Sequence, residues 1–175
     1  MAAVPRNRIS KHMPALLGYY ACFGLLLLLS SLCLYWMDDG FDLAGVIEKY
    51  RGSEEMQKIF ASRPDRYKNA PDLAGWWKKT WPHAIAFGLH FFVSLHLIGS
   101  LLGHRRWLTG FKVLCYLILL LELFVPCLFW VLPLLAAGIL RIVIFIMFIF
   151  IAAAQSVLLL SLAFKSKTVV AGALG

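Results

Sequence analysis

Acidic residues are scarce in this chain and gathered in one place. There are nine Asp and Glu against 17 Lys and Arg in 175 residues. Eight of the nine acids fall between Asp38 and Lys79, where eight bases balance them. Elsewhere stand Arg6, Arg8, Lys11, Arg105, Arg106, Lys112, Lys165 and Lys167 with no acid among them. Only Glu122 and Arg141 are left, each inside an apolar stretch. Charge of either sign is sparse, 15% of residues against 61% hydrophobic. That composition excludes a soluble domain hiding its apolar surface from water. The basic residues flank apolar runs and form no stripe on a polar fold, which argues against nucleic acid as a partner.

Cysteine is equally uninformative as chemistry. Cys22, Cys33, Cys115 and Cys127 all fall in apolar runs, the polar segment has none, and no CxxC pair occurs. A disulfide framework or a thiolate metal site is therefore not expected, and no metal site is assigned. These cysteines read as small hydrophobes at helix contacts. The chain also lacks a P-loop, a glycine-rich dinucleotide turn, an HExxH pair and a serine–histidine–acid set. No catalytic residue and no soluble small-molecule substrate can be named.

What the chain does have is four apolar runs. Span one covers 14–36, span two 82–103, span three 111–132 and span four 136–164, with an outer loop over 37–81. The expected fold is all-α: a single polytopic membrane domain of four transmembrane helices. The first run, about 24 residues long, exceeds the roughly 7–15 of a signal-peptide core, so it is expected to stay as a membrane helix. Basic residues without acids mark cytoplasmic links, which places both termini inside. In a bacterium this is the inner membrane with the loop in the periplasm, the favoured expectation; an organelle membrane is the alternative. The fourth run, from Pro133 to about Phe164, would extend roughly 46 Å, more than the ~30 Å of hydrocarbon, so it must tilt or protrude. Small residues four apart offer close helix contacts: Gly18 with Cys22, Ala84 with Gly88, and Gly99 with Gly103.

The outer loop is expected to be partly helical. Asp42 suits the cap of a short helix that Gly52 ends, and Ser53 suits the cap of a second helix to about Ala61. Met56, Ile59 and Phe60 would share one face of that second helix, an apolar stripe for a partner. Asp72 can cap a third helix, Leu73 to Lys79, carrying Trp76 and Trp77, with Trp81 just beyond. Three tryptophans beside Lys78 and Lys79 suggest a segment lying at the headgroups. Thr80 would cap span two, with Pro82 near its first turn.

Span two carries His83, His90 and His96, with His104 just past its end. His90 and His104 are 14 apart, and His83 and His96 are 13 apart. This spacing resembles that in helices of bis-histidine, two-haem membrane cytochromes, and the resemblance implies haem b on His90 with His96 or His104. The other spans contain no histidine, so the opposite axial ligand would come from a partner subunit, a symmetric copy or a methionine such as Met147. The plainer reading of these histidines is structural hydrogen bonding or a partner contact.

Glu122 and Arg141 form the second feature. A charge deep in a bilayer costs at least ~2.5–3.5 kcal/mol. Glu122 lies 11 residues before Pro133 and Arg141 eight after it. Their depths thus differ by about 4–5 Å at ~1.5 Å per residue, within reach of an arginine. A buried ion pair locking spans three and four is expected, more structural than catalytic. A proton path centred on Glu122 is the weaker alternative, since spans one and two offer no further acid or lysine at depth.

Together these features suggest a non-catalytic membrane subunit that packs on lipid and on other membrane-protein subunits and stabilises them. An electron-transfer subunit with haem b is one alternative. A second is an immunity protein against a pore-forming toxin. Four spans, cytoplasmic termini and one sizeable outer loop are similar in layout to some colicin immunity proteins.

Overall fold

The computed structural model describes residues 12–39, 42–53, 58, 62, 72–103 and 105–174, and every regular element among them is helical. In order these are α1 (Met13–Asp39), α2 (Leu43–Arg51), α3 (Leu73–Leu102), α4 (Arg106–Phe124), a 3-10 helix (Val125–Trp130) and α5 (Leu134–Leu174). Four stretches are long and apolar enough to cross a membrane: Met13–Met37, Ala74–Leu102, Arg106–Trp130 and Leu134–Ser166. The protein is a multi-pass, all-helical membrane protein. Its helices alternate in direction, so α2, the start of α3 and the turn before α5 share one end, called here the loop end.

Local chemistry accounts for most boundaries. Asp42 caps α2 by accepting a 2.6 Å hydrogen bond from the Gly45 amide. Gly52, at φ 76°, ends that helix in a conformation that L side chains rarely adopt. Asp72 caps α3 through the Gly75 amide, also at 2.6 Å.

Three expectations need correction. Helix α3 does not stop at Lys79 and restart at Thr80: one helix of 30 residues runs through, with Pro82 inside it. Pro82 removes only the bond to the carbonyl of Lys78, an exposed residue whose carbonyl a helix end near water can satisfy otherwise. The tryptophans are therefore the first turns of a membrane helix and do not form a separate headgroup-lying segment. Second, α4 begins at Arg106 and not at 111, and after Phe124 it tightens into the 3-10 helix. Pro126 has no N–H for the carbonyl of Glu122, so the α pattern cannot continue there. Third, α5 does not end near 164. It has 41 residues, which at ~1.5 Å each make about 60 Å, twice the ~30 Å of hydrocarbon.

Packing falls into three layers along the bundle. Tyr35, Val46, Tyr50, Phe129, Ala137 and Phe145 fill the loop end. Leu28, Phe87, Phe91, Leu95, Ile118 and Phe148 belong to the middle layer. Leu17, Ala21, Ile98, Leu101, Leu108 and Leu159 belong to the far end. Lipid gives apolar helices no hydrophobic reason to associate, so fit and polar contacts must hold them. Two glycines supply that fit. A Cβ on Gly24 of α1 would lie 2.6 Å from His90 Nε2 and from Ser156 Oγ. A Cβ on Gly138 of α5 would lie 2.5 Å from Leu43 Cδ1 and 3.3 Å from Ile47 Cγ1. Gly138 thereby seats α2 flat on the bundle.

Gly18 and Gly88 have nothing within 4 Å of an added Cβ. Gly99 and Gly103 do not form a helix-packing pair. Gly99 meets only the Lys112 side chain, and Gly103 is the C-cap of α3 at φ 69°. The spacing is there, but one of its glycines is spent on ending the helix.

Candidate functional site

The polar centre of the loop end is Arg141. It lies seven residues into α5, about 10 Å from the helix start at ~1.5 Å per residue, and is 7% exposed. Its Nη1 is 2.6 Å from Oε2 of Glu122 on α4. Its Nε donates to the Tyr50 hydroxyl of α2 at 3.2 Å. The guanidinium carbon sits 5.6 Å from the ring centroids of Tyr35 and Phe145. Those two rings stack on each other at 3.9 Å, and Tyr50 stacks on Phe129 at 4.7 Å. One cation therefore ties α1, α2, α4 and α5 together. A planar guanidinium with a fork of donors suits this role, because it can pair, hydrogen-bond and lie near aromatic rings at once.

Beside this hub lies a cavity of about 430 Å³, within the usual size of small-molecule sites. Its lower wall is apolar, with Phe87, Leu119, Leu123 and Phe148. Its upper wall carries Lys49, Lys78, Thr80 and His83, together with Trp76, Glu122 and Arg141. Trp76 is 6% exposed, and its indole N–H has no hydrogen-bond partner among the described residues. The Lys49 ammonium lies 5.7 Å from the Tyr50 ring centroid. Lys78 is exposed and Lys49 half-buried, while Phe87 and Leu119 of the floor are buried.

A family model described as a transmembrane helical domain, Aq_1264_TM, matches residues 40–169, well over half of the chain. The chain belongs to the Aq_1264_TM family. No curated protein and no solved structure matches it.

In this Aq_1264_TM member the match spans α2, the loop, α3, α4 and most of α5, so both partners of the ion pair fall inside it. Of the residues singled out from the sequence, Glu122 and Arg141 are brought together. Trp76, Trp77 and Trp81 also cluster, with ring centroids 5.1 Å and 5.5 Å apart in succession, and Trp76 reaches Trp130 at 6.4 Å. Trp77 and Trp81 face outward, 46% and 53% exposed. Met56, Ile59, Phe60 and His104 lie outside the described residues.

The remaining histidines separate. His90 is 2% exposed and turned into the bundle, while His96, six residues on, is exposed on the other side of α3. Six residues rotate a helix by about 600°, which leaves the two side chains about 120° apart around it. Met147 is 42% exposed and lines a shallow groove between α4 and α5, away from His90. Gly24 and Ser156 close on His90 Nε2 so tightly that a single added carbon would collide. A porphyrin plane has no room on that side of the ring, so the arrangement does not fit haem ligation by His90. Among the described residues no group of three His, Cys, Asp or Glu could hold a metal ion.

Sequence reading missed Tyr35 and Tyr50, because ring stacking and a hydroxyl acceptor for Arg141 leave no periodic signal. Buried polar residues also stand at mid-bundle on α3 and α5. There His90 and Ser94 of α3 and Gln155 and Ser156 of α5 are all buried; Gln155 Nε2 donates to the Phe91 carbonyl at 3.5 Å and Ser156 Oγ to the Ala152 carbonyl at 3.0 Å.

Proposed function

We propose that this membrane protein is a non-catalytic subunit of a larger membrane assembly, which seats and stabilises its partners through the loop end. The observation that supports this is the fixing of α2. Arg141 holds Tyr50, and Gly138 admits Leu43 and Ile47, so a loop element that could swing freely is docked on the bundle. A docked helix presents one fixed surface, which lowers the ordering cost of binding a partner. Basic residues at the far end, Arg105, Arg106 and Lys112 among them, support cytoplasmic termini and a loop on the opposite side. In a bacterium that is the periplasmic face of the inner membrane.

The test is mild detergent extraction from native membranes at native expression level, followed by size separation. Migration with partner proteins supports the proposal, and their loss on Arg141→Met with retained folding ties it to the loop end. Migration as a lone monomer under several mild detergents refutes it.

A further inference from the structure

The charges that line the loop-end cavity are already answered. Arg141 and Glu122 pair with each other, the Lys49 ammonium lies beside the Tyr50 ring, and Lys78 is exposed. Two donors in the same lining still call for an acceptor. Trp76 is 6% exposed, and its indole N–H has no hydrogen-bond partner among the described residues. Tyr50 accepts from Arg141 Nε at 3.2 Å, which leaves its own O–H to donate. A buried donor without an acceptor is costly, above all where no water competes for it. Phe87, Leu119 and Phe148 add carbon alone to the wall, Phe87 meeting Phe148 edge to face at 4.8 Å.

The exposed residues of the lining stand on α1 and α3 alone: Leu34, Lys78, Pro82 and His83. Both helices carry stretches apolar and long enough to cross a membrane, so the cavity opens between two such stretches. A guest entering there is lipid-soluble, needs no charge, and carries acceptors on an apolar body. We propose that the cavity binds a quinone, its carbonyls accepting from the Trp76 indole and the Tyr50 hydroxyl, its ring against Phe87 and Phe148. A quinone holds two strong acceptors on one flat apolar ring, which suits two donors set on different helices, α2 and α3. Aromatic walls with a few placed polar groups are usual in small-molecule sites, and a cavity of about 430 Å³ admits such a ring. An alkyl chain would leave both donors unmatched. A carboxylate would bring a charge to a wall whose own charges are met.

Calorimetric titration of the full-length protein in a neutral detergent tests this, with affinities referred to the ligand held in the micelle. The probes are duroquinone, durene (the same methylated ring without carbonyls) and dodecanoate. One duroquinone should bind per chain, about tenfold or more tightly than durene, because only the quinone can meet the donors. Trp76→Phe, which keeps an aromatic ring but removes the N–H, should weaken duroquinone about fivefold or more and leave durene unchanged. Trp81→Phe, on the exposed outer face, should change neither. Tyr50→Phe should weaken duroquinone in the same way; it also removes an acceptor from Arg141, so Trp76→Phe decides if that variant fails to fold. Equal binding of duroquinone and durene, or indifference to Trp76→Phe, overturns the proposal. Dodecanoate binding more tightly than duroquinone also overturns it, since charge would then be what the cavity recognises. The measurement is made on isolated chains, so its outcome does not depend on whether the protein has subunit partners.

Discussion

Nη1 of Arg141 and Oε2 of Glu122 meet at 2.6 Å across the contact between α5 and α4, with both side chains at least 86% buried. Neither charge is tolerable there alone. Removing one partner strands the other in a low-dielectric setting, at a cost of about 3–5 kcal/mol. Glu122→Gln and Arg141→Met should each destabilise the fold by that order. The double substitution should be less harmful than the sum of the two, because no lone charge remains. Reversible unfolding in mixed micelles, read by tryptophan fluorescence across all four chains, gives the coupling energy. Additive losses would mean that the pair is not a unit.

Gly24 and Gly18 make a matched comparison on one helix. An added carbon at Gly24 would lie 2.6 Å from both His90 and Ser156, while at Gly18 it meets nothing within 4 Å. Gly24→Ala should cost about 1–3 kcal/mol, the usual range for overpacking. Gly18→Ala should be neutral or slightly favourable, since alanine is the better helix former by about 1 kcal/mol. Thermal denaturation in detergent separates the two. Equal effects would place the α1 contact elsewhere.

His90 faces Gly24 and Ser156, and His96 faces away from the bundle. Protein purified from cells supplied with haem should therefore show no Soret band attributable to His90, and His90→Ala should leave the absorption spectrum unchanged. A Soret band lost with His90→Ala would require α1 and α5 to stand apart from α3 in the native membrane.

The contrast between what could be read from the chain and what could not is physical. Apolar run length and acid-free basic clusters are one-dimensional, so the four helices could be placed from sequence. So could the caps Asp42, Asp72 and Gly52, whose chemistry acts within three or four residues. Depth arithmetic about Pro133 was enough to bring Glu122 near Arg141. Spacing failed where the third dimension decides. Gly99 and Gly103 share a pattern with packing pairs, yet Gly103 ends a helix; Gly24 and Gly138 have no pattern and make the close contacts. Pro82 was misplaced because a proline at a first turn and one within a helix near water look alike in sequence. The cavity draws on all five helices and could not be foreseen from any one of them.

Sidedness is the most direct test of all. Lys58 lies in the loop and Lys165 near the far end of α5, and both are exposed. Lys58→Cys and Lys165→Cys can each be treated with a membrane-impermeant maleimide on intact cells or sealed vesicles. The unsubstituted chain, whose four cysteines lie inside the candidate spans, sets the background. Labelling of position 58 from outside and of 165 only after the membrane is opened is the predicted result. Equal access to both from one side would contradict the four-span arrangement.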